Sequence, residues 1–360
     1  MNSLLEHVWD LWETISSKKC KIERNKAERD TLLPMFHSKY VPKRIYQEIK
    51  MKPLYKKGDL ISFQDEQNFI SLFGNEQDRS IVRKNIKIVQ LLIYLLHKLS
   101  GITFTNHICI YLTPNKKMLP KKNEDYILSV EHVNSGMTTY RVNERENHII
   151  IYRKEEWLKV LIHELLHAYR VDILAHNNKS ILRSIFPIKS ELNYNEAYTE
   201  CWAIILHCLL HSYVVSESYE MFCNMFHENI EMELSFSMMQ ANKVLHHMYL
   251  HYNALIIEHK HDVNISMIRN LYFKEDTNVF SYYILKLVLL FFYDEFIVFC
   301  GKKNRSYVYL TSPRDLLKFI EARYKNAIFI DSIYDYSLSS NKHKDDRTLR
   351  MSLLKIIDLN

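Results

Sequence analysis

Glycine is nearly missing from this chain. Five stand alone in 360 residues, at Gly58, Gly74, Gly101, Gly136 and Gly301, where an average protein carries roughly 7 %. A dinucleotide-binding turn needs three closely spaced glycines and a P-loop needs two, because backbone must wrap the phosphate closely. Neither spacing occurs, so both nucleotide loops are excluded. Propellers, β-helices and small barrels also consume glycine at their turns. What remains is a largely helical chain.

Charge and cysteine usage narrow the partners. The net charge is only +6, from 48 basic and 42 acidic residues. The nearest basic cluster, Lys116-Lys117 with Lys121-Lys122, reads as a solvated loop. No nucleic-acid partner is expected, since that calls for a clustered basic stripe. The six cysteines form no CxxC pair. Cys201 and Cys208, seven apart on an expected helix, stand about 10 Å apart along its axis, too far for a disulfide. The start, MNSLLEHVWDLWETISSKK, has no basic lead and no apolar h-region, so no signal peptide is expected. The most apolar stretch, Tyr282 to Cys300, is broken by Lys286, Asp294 and Glu295 and reads as a core helix, not a membrane span. A cytoplasmic or other intracellular setting follows. The abundance of Asn, Ile, Lys and Tyr resembles that of AT-rich genomes, those of large DNA viruses and some parasites among them.

Periodicity predicts a helix over residues 1–35, from Leu4, Leu5, Val8, Leu11, Trp12 and Ile15. A polar connection is expected around 42–58, then a helix over 78–100 closed by Gly101. The pattern next alternates, giving strands at 102–113, 126–131, 138–142 and 148–153 around a lysine-rich loop to about 125. Beyond Glu155, helices are expected at 155–175, 194–214, 217–234, 237–259, 277–300 and 313–325. A loop at 335–348 and a short terminal helix end the chain. The expected fold class is α+β, mainly helical, with one small sheet.

Chemistry is advertised in one place, WLKVLIHELLHAYRVDI at 157–173. His163-Glu164-Leu165-Leu166-His167 is an HExxH motif. Residues four apart share a helix face, so both imidazoles can reach one ion. Glu164, next to the first histidine, can act on a water carried by the metal. A second segment, Asn195-Glu196-Ala197-Tyr198-Thr199-Glu200, opens a following helix. Catalytic zinc takes three protein ligands and keeps one position open. Glu196 can be the third ligand, and Glu200, one turn on, can hold the far nitrogen of a bound imidazole. The plainer alternative is a pair of acids at a helix start, favoured by the macrodipole.

HELLH followed by NEAYTE resembles the active site of the gluzincin metallopeptidases, the thermolysin-like enzymes in particular. The resemblance covers roughly 157–205 and implies one zinc ion held by His163, His167 and Glu196, with Glu164 as general base. Glu200 stands where that family usually has aspartate, and Asp172 resembles another of its acidic positions. The 28 residues between His167 and Glu196 exceed the family's usual spacing of about twenty. The implied organisation is an N-terminal helical region (1–77), a zincin-like catalytic core (78–215) and a helical C-terminal region completing the cleft (216–360). Either 148–153 or 138–142 is a candidate edge strand for an extended peptide, with an interior strand the alternative for the first.

The expected function is zinc-dependent peptide-bond hydrolysis, Glu164 activating a zinc-bound water, on a peptide or protein substrate. Two alternatives stand beside it: a zincin-derived binding or virion-structural module without catalysis, and a helical interaction protein with a chance HExxH. A Tyr or His should stabilise the oxyanion. Candidates are His246, His247, His251, His259, His261, Tyr282 and Tyr283. His247 and His251, four apart, offer either a second ion site or an ordinary polar helix face. His207 and His211 read as structural.

Overall fold

The computed structural model describes residues 2–15, 20–63, 67–121, 127–141, 145–172, 180–256, 263–339 and 346–355. Six strands form one open sheet: β1 (Cys20–Glu28), β2 (Lys57–Phe63), β3 (Asn68–Phe73), β4 (Thr105–Tyr111), β5 (Gly136–Arg141) and β6 (Glu146–Ile151). Their spatial order is β1-β2-β3-β4-β6-β5. The first three pair antiparallel, β3–β4 and β4–β6 pair parallel, and β5 returns antiparallel along β6 as the edge. The parallel step from β3 to β4 needs a crossover, which helix α1 (Ile86–Ser100) supplies. It ends at Gly101, whose φ of +64° is the left-handed cap that glycine adopts without penalty.

Both faces of the sheet are covered. Ile61, Ile70, Ile108, Ile110, Ile149 and Ile151 join the main core beneath the helices. Phe73, Cys109, Tyr111, Met137 and Ile150 pack on the other side with Phe36, Ile45 and Tyr55. This explains why Ile149-Ile150-Ile151 does not alternate, for β6 is an interior strand buried on both sides. The strand expected at 138–142 is the edge, β5.

Three helices then build over the main core: α2 (Trp157–Ala168), α3 (Tyr194–Val215) and α4 (Tyr219–His247). The α3 helix has no exposed residue from Ala197 to Leu210. Ala197, Cys201, Ile204, Ile205 and Cys208 are all fully buried, so it runs through the middle of the helical layer. Beyond α4, a helical run opens with a π-helical turn at Phe280–Leu285 and continues through Lys286–Phe291 and Tyr293–Lys303. The fold is a mostly helical α+β arrangement around one sheet, in agreement with the expected class.

Several expectations are corrected. The helix expected over 1–35 ends at Ile15, and β1 follows from Cys20. The polar connection at 42–58 contains a helix, Lys43–Met51, and leads directly into β2. Residues 1–77 therefore supply three of the six strands, and β3 pairs with β4 across the expected boundary at 77/78. The helix at 78–100 is two, Glu76–Lys84 and α1, meeting at Asn85. At 126–131 the described part makes one bridge, Leu128 to Glu275, before a helical turn at Val130–Val133. The two helices expected at 217–234 and 237–259 are one continuous α4 to His247, then a short turn at Tyr252–Leu255. Helix Ala327–Ser339 occupies the start of the expected 335–348 loop, and residues 346–355 contain no helix. The expectations at 16–19, 122–126, 142, 173–175, 257–259 and 340–345 lie outside the described residues.

No helix among the described residues is long and apolar enough to cross a membrane. All six cysteines are free thiols.

Candidate metal centre

The α2 helix is anchored by its apolar stripe. Leu158, Leu161, Ile162, Leu165 and Leu166 are at most 2 % exposed, which fixes the rotation of the helix about its axis. That rotation turns His163 and His167, one turn apart, toward the first turn of α3. There Asn193 caps the helix, its side-chain oxygen accepting the Glu196 N–H. Glu196 consequently leaves the helix start pointing back at α2.

The three side chains converge. His163 Nε2 and His167 Nε2 are 3.0 Å apart. Glu196 Oε2 lies 3.3 Å from the first and 3.5 Å from the second. It is a buried carboxylate oxygen with no hydrogen-bond donor among the described residues. Tetrahedral zinc with bonds of about 2.0–2.1 Å places neighbouring donors roughly 3.3–3.4 Å apart. The donor types and their spacing fit that ion. Among the described residues this is the one group of three or more His, Cys, Asp or Glu whose donor atoms gather closely enough for a metal.

The outer nitrogens of both rings face carboxylates. His167 Nδ1 is hydrogen-bonded to Asp172 Oδ2 at 2.9 Å, and His163 Nδ1 stands 2.8 Å from Glu200 Oε2. Such partners place the ring proton on Nδ1 and leave Nε2 free to ligate. Glu200 is itself paired with the buried ammonium of Lys159.

Electrostatics follow from burial and proximity. Burial disfavours a charged His163, but Glu196 and Glu200 outweigh it and raise the imidazole pKa. His167 is driven further up against the same burial penalty by Asp172 and Glu196. Burial likewise opposes ionisation of Glu196, and the imidazoles reverse that, holding it well below the usual carboxylate range.

Glu164 behaves differently. Its carboxylate is 6 % exposed, and burial raises its pKa despite the neighbouring imidazoles. Thr138, on β5, donates its hydroxyl to Glu164 Oε2 at 2.7 Å. Opposite, the π-helical turn brings Tyr282 to the site, its ring 6.0 Å from that of His163 and edge-on to it. Burial keeps the Tyr282 hydroxyl protonated, and Glu196 and Glu164 reinforce this. On the far rim, Arg170 stacks on the half-exposed ring of Tyr140 at 3.8 Å.

His163, Glu164, His167, Glu196 and Glu200 thus meet, as does Asp172. Of the oxyanion candidates, Tyr282 borders the site. Tyr283 is engaged elsewhere, donating to the carbonyl of Leu349. His246 and His247 end α4, His251 lies just beyond, and His259 and His261 fall outside the described residues. His247 and His251 join no group of three metal-capable side chains among the described residues. His207 is buried against Ser352, 3.1 Å from its hydroxyl, and His211 faces Asn229. Thr138 falls in the strand expected at 138–142, but its bond to Glu164 has no signal in the sequence. Lys159 stands one turn before His163 on α2, a local cue that the motif alone overlooks. The segment around Met351 gives no signal, because distant pairing alone brings it here.

No protein-family model, no curated protein and no solved structure matches the chain.

Proposed function

We propose that this chain is a zinc-dependent peptide hydrolase, with a gluzincin-like centre on a zincin-like core of sheet and active-site helix. One observation carries the reading: two Nε2 atoms and one carboxylate oxygen meet at tetrahedral spacing while both outer ring nitrogens face carboxylates. Isolated surface histidines have no reason to adopt that double arrangement.

His163, His167 and Glu196 are the residues that would hold the ion. Zinc bound there supplies Lewis-acid polarisation of a carbonyl and lowers the pKa of a water. Glu164 takes the proton from the attacking water at its carboxylate. The water oxygen bonds to the scissile carbon, the C–N bond breaks, and Glu164 returns the proton to the departing amine. Burial raises the Glu164 pKa, which makes it a better acceptor, and Thr138 fixes its orientation. The protonated Tyr282 hydroxyl serves as donor toward negative charge developing on the substrate oxygen. The free edge of β5 is suited to pair with an extended peptide through backbone hydrogen bonds.

The test is incubation of zinc-loaded protein with a randomised peptide library. Cleavage that a chelator abolishes and added zinc restores is expected. A zinc-loaded protein that cuts no peptide would contradict the reading.

A further inference from the structure

A cavity of about 40 Å³ opens beside His163 and Glu164, between α2 and the start of β5. One water needs about 10–15 Å³ of such space, so the cavity takes only a group of a few heavy atoms. Val160, one turn before Glu164, and Val133 form apolar walls, and Met351 closes a third side.

Met351 is held in place by the backbone around it. Its own N–H and that of Ser352 donate to the buried Glu156 carboxylate, at 2.8 and 2.6 Å. The N–H groups of Leu353 and Leu354 both donate to Glu233 Oε1 at 2.9 Å. Leu349 N–H donates to the Lys117 carbonyl at 2.9 Å. The Met351 residue is 4 % exposed. These bonds fix where the Met351 side chain enters the cavity, and its sulfur lies 3.7 Å from Lys159 Nζ.

The polar lining sets the chemistry. The ammonium groups of Lys117 and Lys159 reach the cavity, but each already faces a buried carboxylate, Glu156 at 3.1 Å and Glu200 respectively. Neither is left over for an ionic side chain. Ser135 is different. It is 4 % exposed, it lines the cavity, and its hydroxyl has no hydrogen-bond partner among the described residues. A buried hydroxyl left unpaired is costly, and a ligand that pairs with it is correspondingly favoured.

We propose that this pocket selects serine at the substrate residue flanking the scissile bond on the Glu164 side: Met351 limits the size and Ser135 supplies the hydrogen bond. The inference rests on the peptide-hydrolase reading above. Alanine and glycine fit the space without the hydrogen bond, and larger side chains meet Met351.

The test uses full-length, zinc-loaded protein and a library randomised at both positions flanking the cut, with products read by mass spectrometry. The wild type should enrich serine at one flanking position about fivefold over alanine, the worth of one net hydrogen bond, and exclude leucine and phenylalanine there. Ser135→Ala should bring the serine-to-alanine ratio to about one by removing that bond. Met351→Ala should admit leucine and methionine at the same position. Bulky residues accepted on both sides by the wild type would overturn the proposal while leaving hydrolysis intact. So would profiles unchanged in both variants. If Met351→Ala fails to fold, the Ser135→Ala ratio decides alone. No cleavage by any zinc-loaded form would remove the hydrolase reading and this one together.

Discussion

Gly136 leaves open the space that the Glu164 carboxylate fills. A Cβ at Gly136 would stand 2.7 Å from Glu164 Oε1 and 2.8 Å from Val160 Cγ1, closer than real side-chain carbons approach. Two residues along the same strand, Thr138 donates to the other carboxylate oxygen. The edge strand and the Glu164 side chain are therefore one unit. In a chain with five glycines, one is placed where backbone comes up against the proposed general base.

Gly136→Ala should displace Glu164. Overpacking of this kind costs about 1–3 kcal/mol, and the expected result is a kcat lowered roughly 10- to 100-fold with zinc content unchanged. Steady-state kinetics with parallel metal analysis check it. Full activity in this variant would mean that β5 does not position the base.

Asp172 and Glu200 should govern metal affinity. Asp172→Asn removes the carboxylate from His167, and Glu200→Gln removes it from His163. Loss of such partners weakens metal binding by about 10- to 100-fold. Glu200→Gln should also destabilise the fold, because the buried Lys159 ammonium loses its counter-charge. Competition with a fluorescent chelator measures the first effect and urea unfolding the second. Unchanged zinc affinity in both variants would refute the assigned roles.

Glu275 should make stability depend on pH. It joins two walls of the site, accepting from the Ser190 hydroxyl before α3 and from the Phe280 N–H, at 2.6 Å, in the turn that carries Tyr282. Burial pushes its pKa up from 4.5 to about 7. The folded protein then holds a proton that the unfolded chain has released. This contribution is fully present below pH 4.5 and is lost as pH rises to about 7, a change of about 3 kcal/mol. Glu275→Gln should abolish it, so the stability difference between wild type and variant should move by that amount between pH 4.5 and 8. Parallel urea curves at the two pH values would refute the effect.

The site was legible in the sequence because its parts are local. HExxH is defined by one turn of one helix, and NEAYTE by the first turns of another. The burial of Leu161 and Leu165 that aims the histidines is written in the same heptad of residues. Half of the sheet was not legible. Cys20–Glu28 is a polar stretch, buried only at Ala27, whose strand conformation comes from pairing with β2, some 35 residues away. The Asn68–Phe73 strand alternates in burial, a signal that its position before the helical stretch at 78–100 obscured. The extended segment at 346–355 is shaped by Glu156 and Glu233, more than 100 residues distant. No local pattern encodes such capture.

His163, His167 and Glu196 are proposed to hold one zinc ion, with Glu164 required for turnover and not for zinc binding. Metal content by mass spectrometry, taken with peptide turnover on the same samples of wild type, His163→Ala and Glu164→Gln, tests it most directly. One zinc per chain is expected in wild type and Glu164→Gln, with turnover in Glu164→Gln lowered at least about 100-fold, and little or no zinc in His163→Ala. A full zinc complement in His163→Ala, or undiminished turnover in Glu164→Gln, would contradict the account.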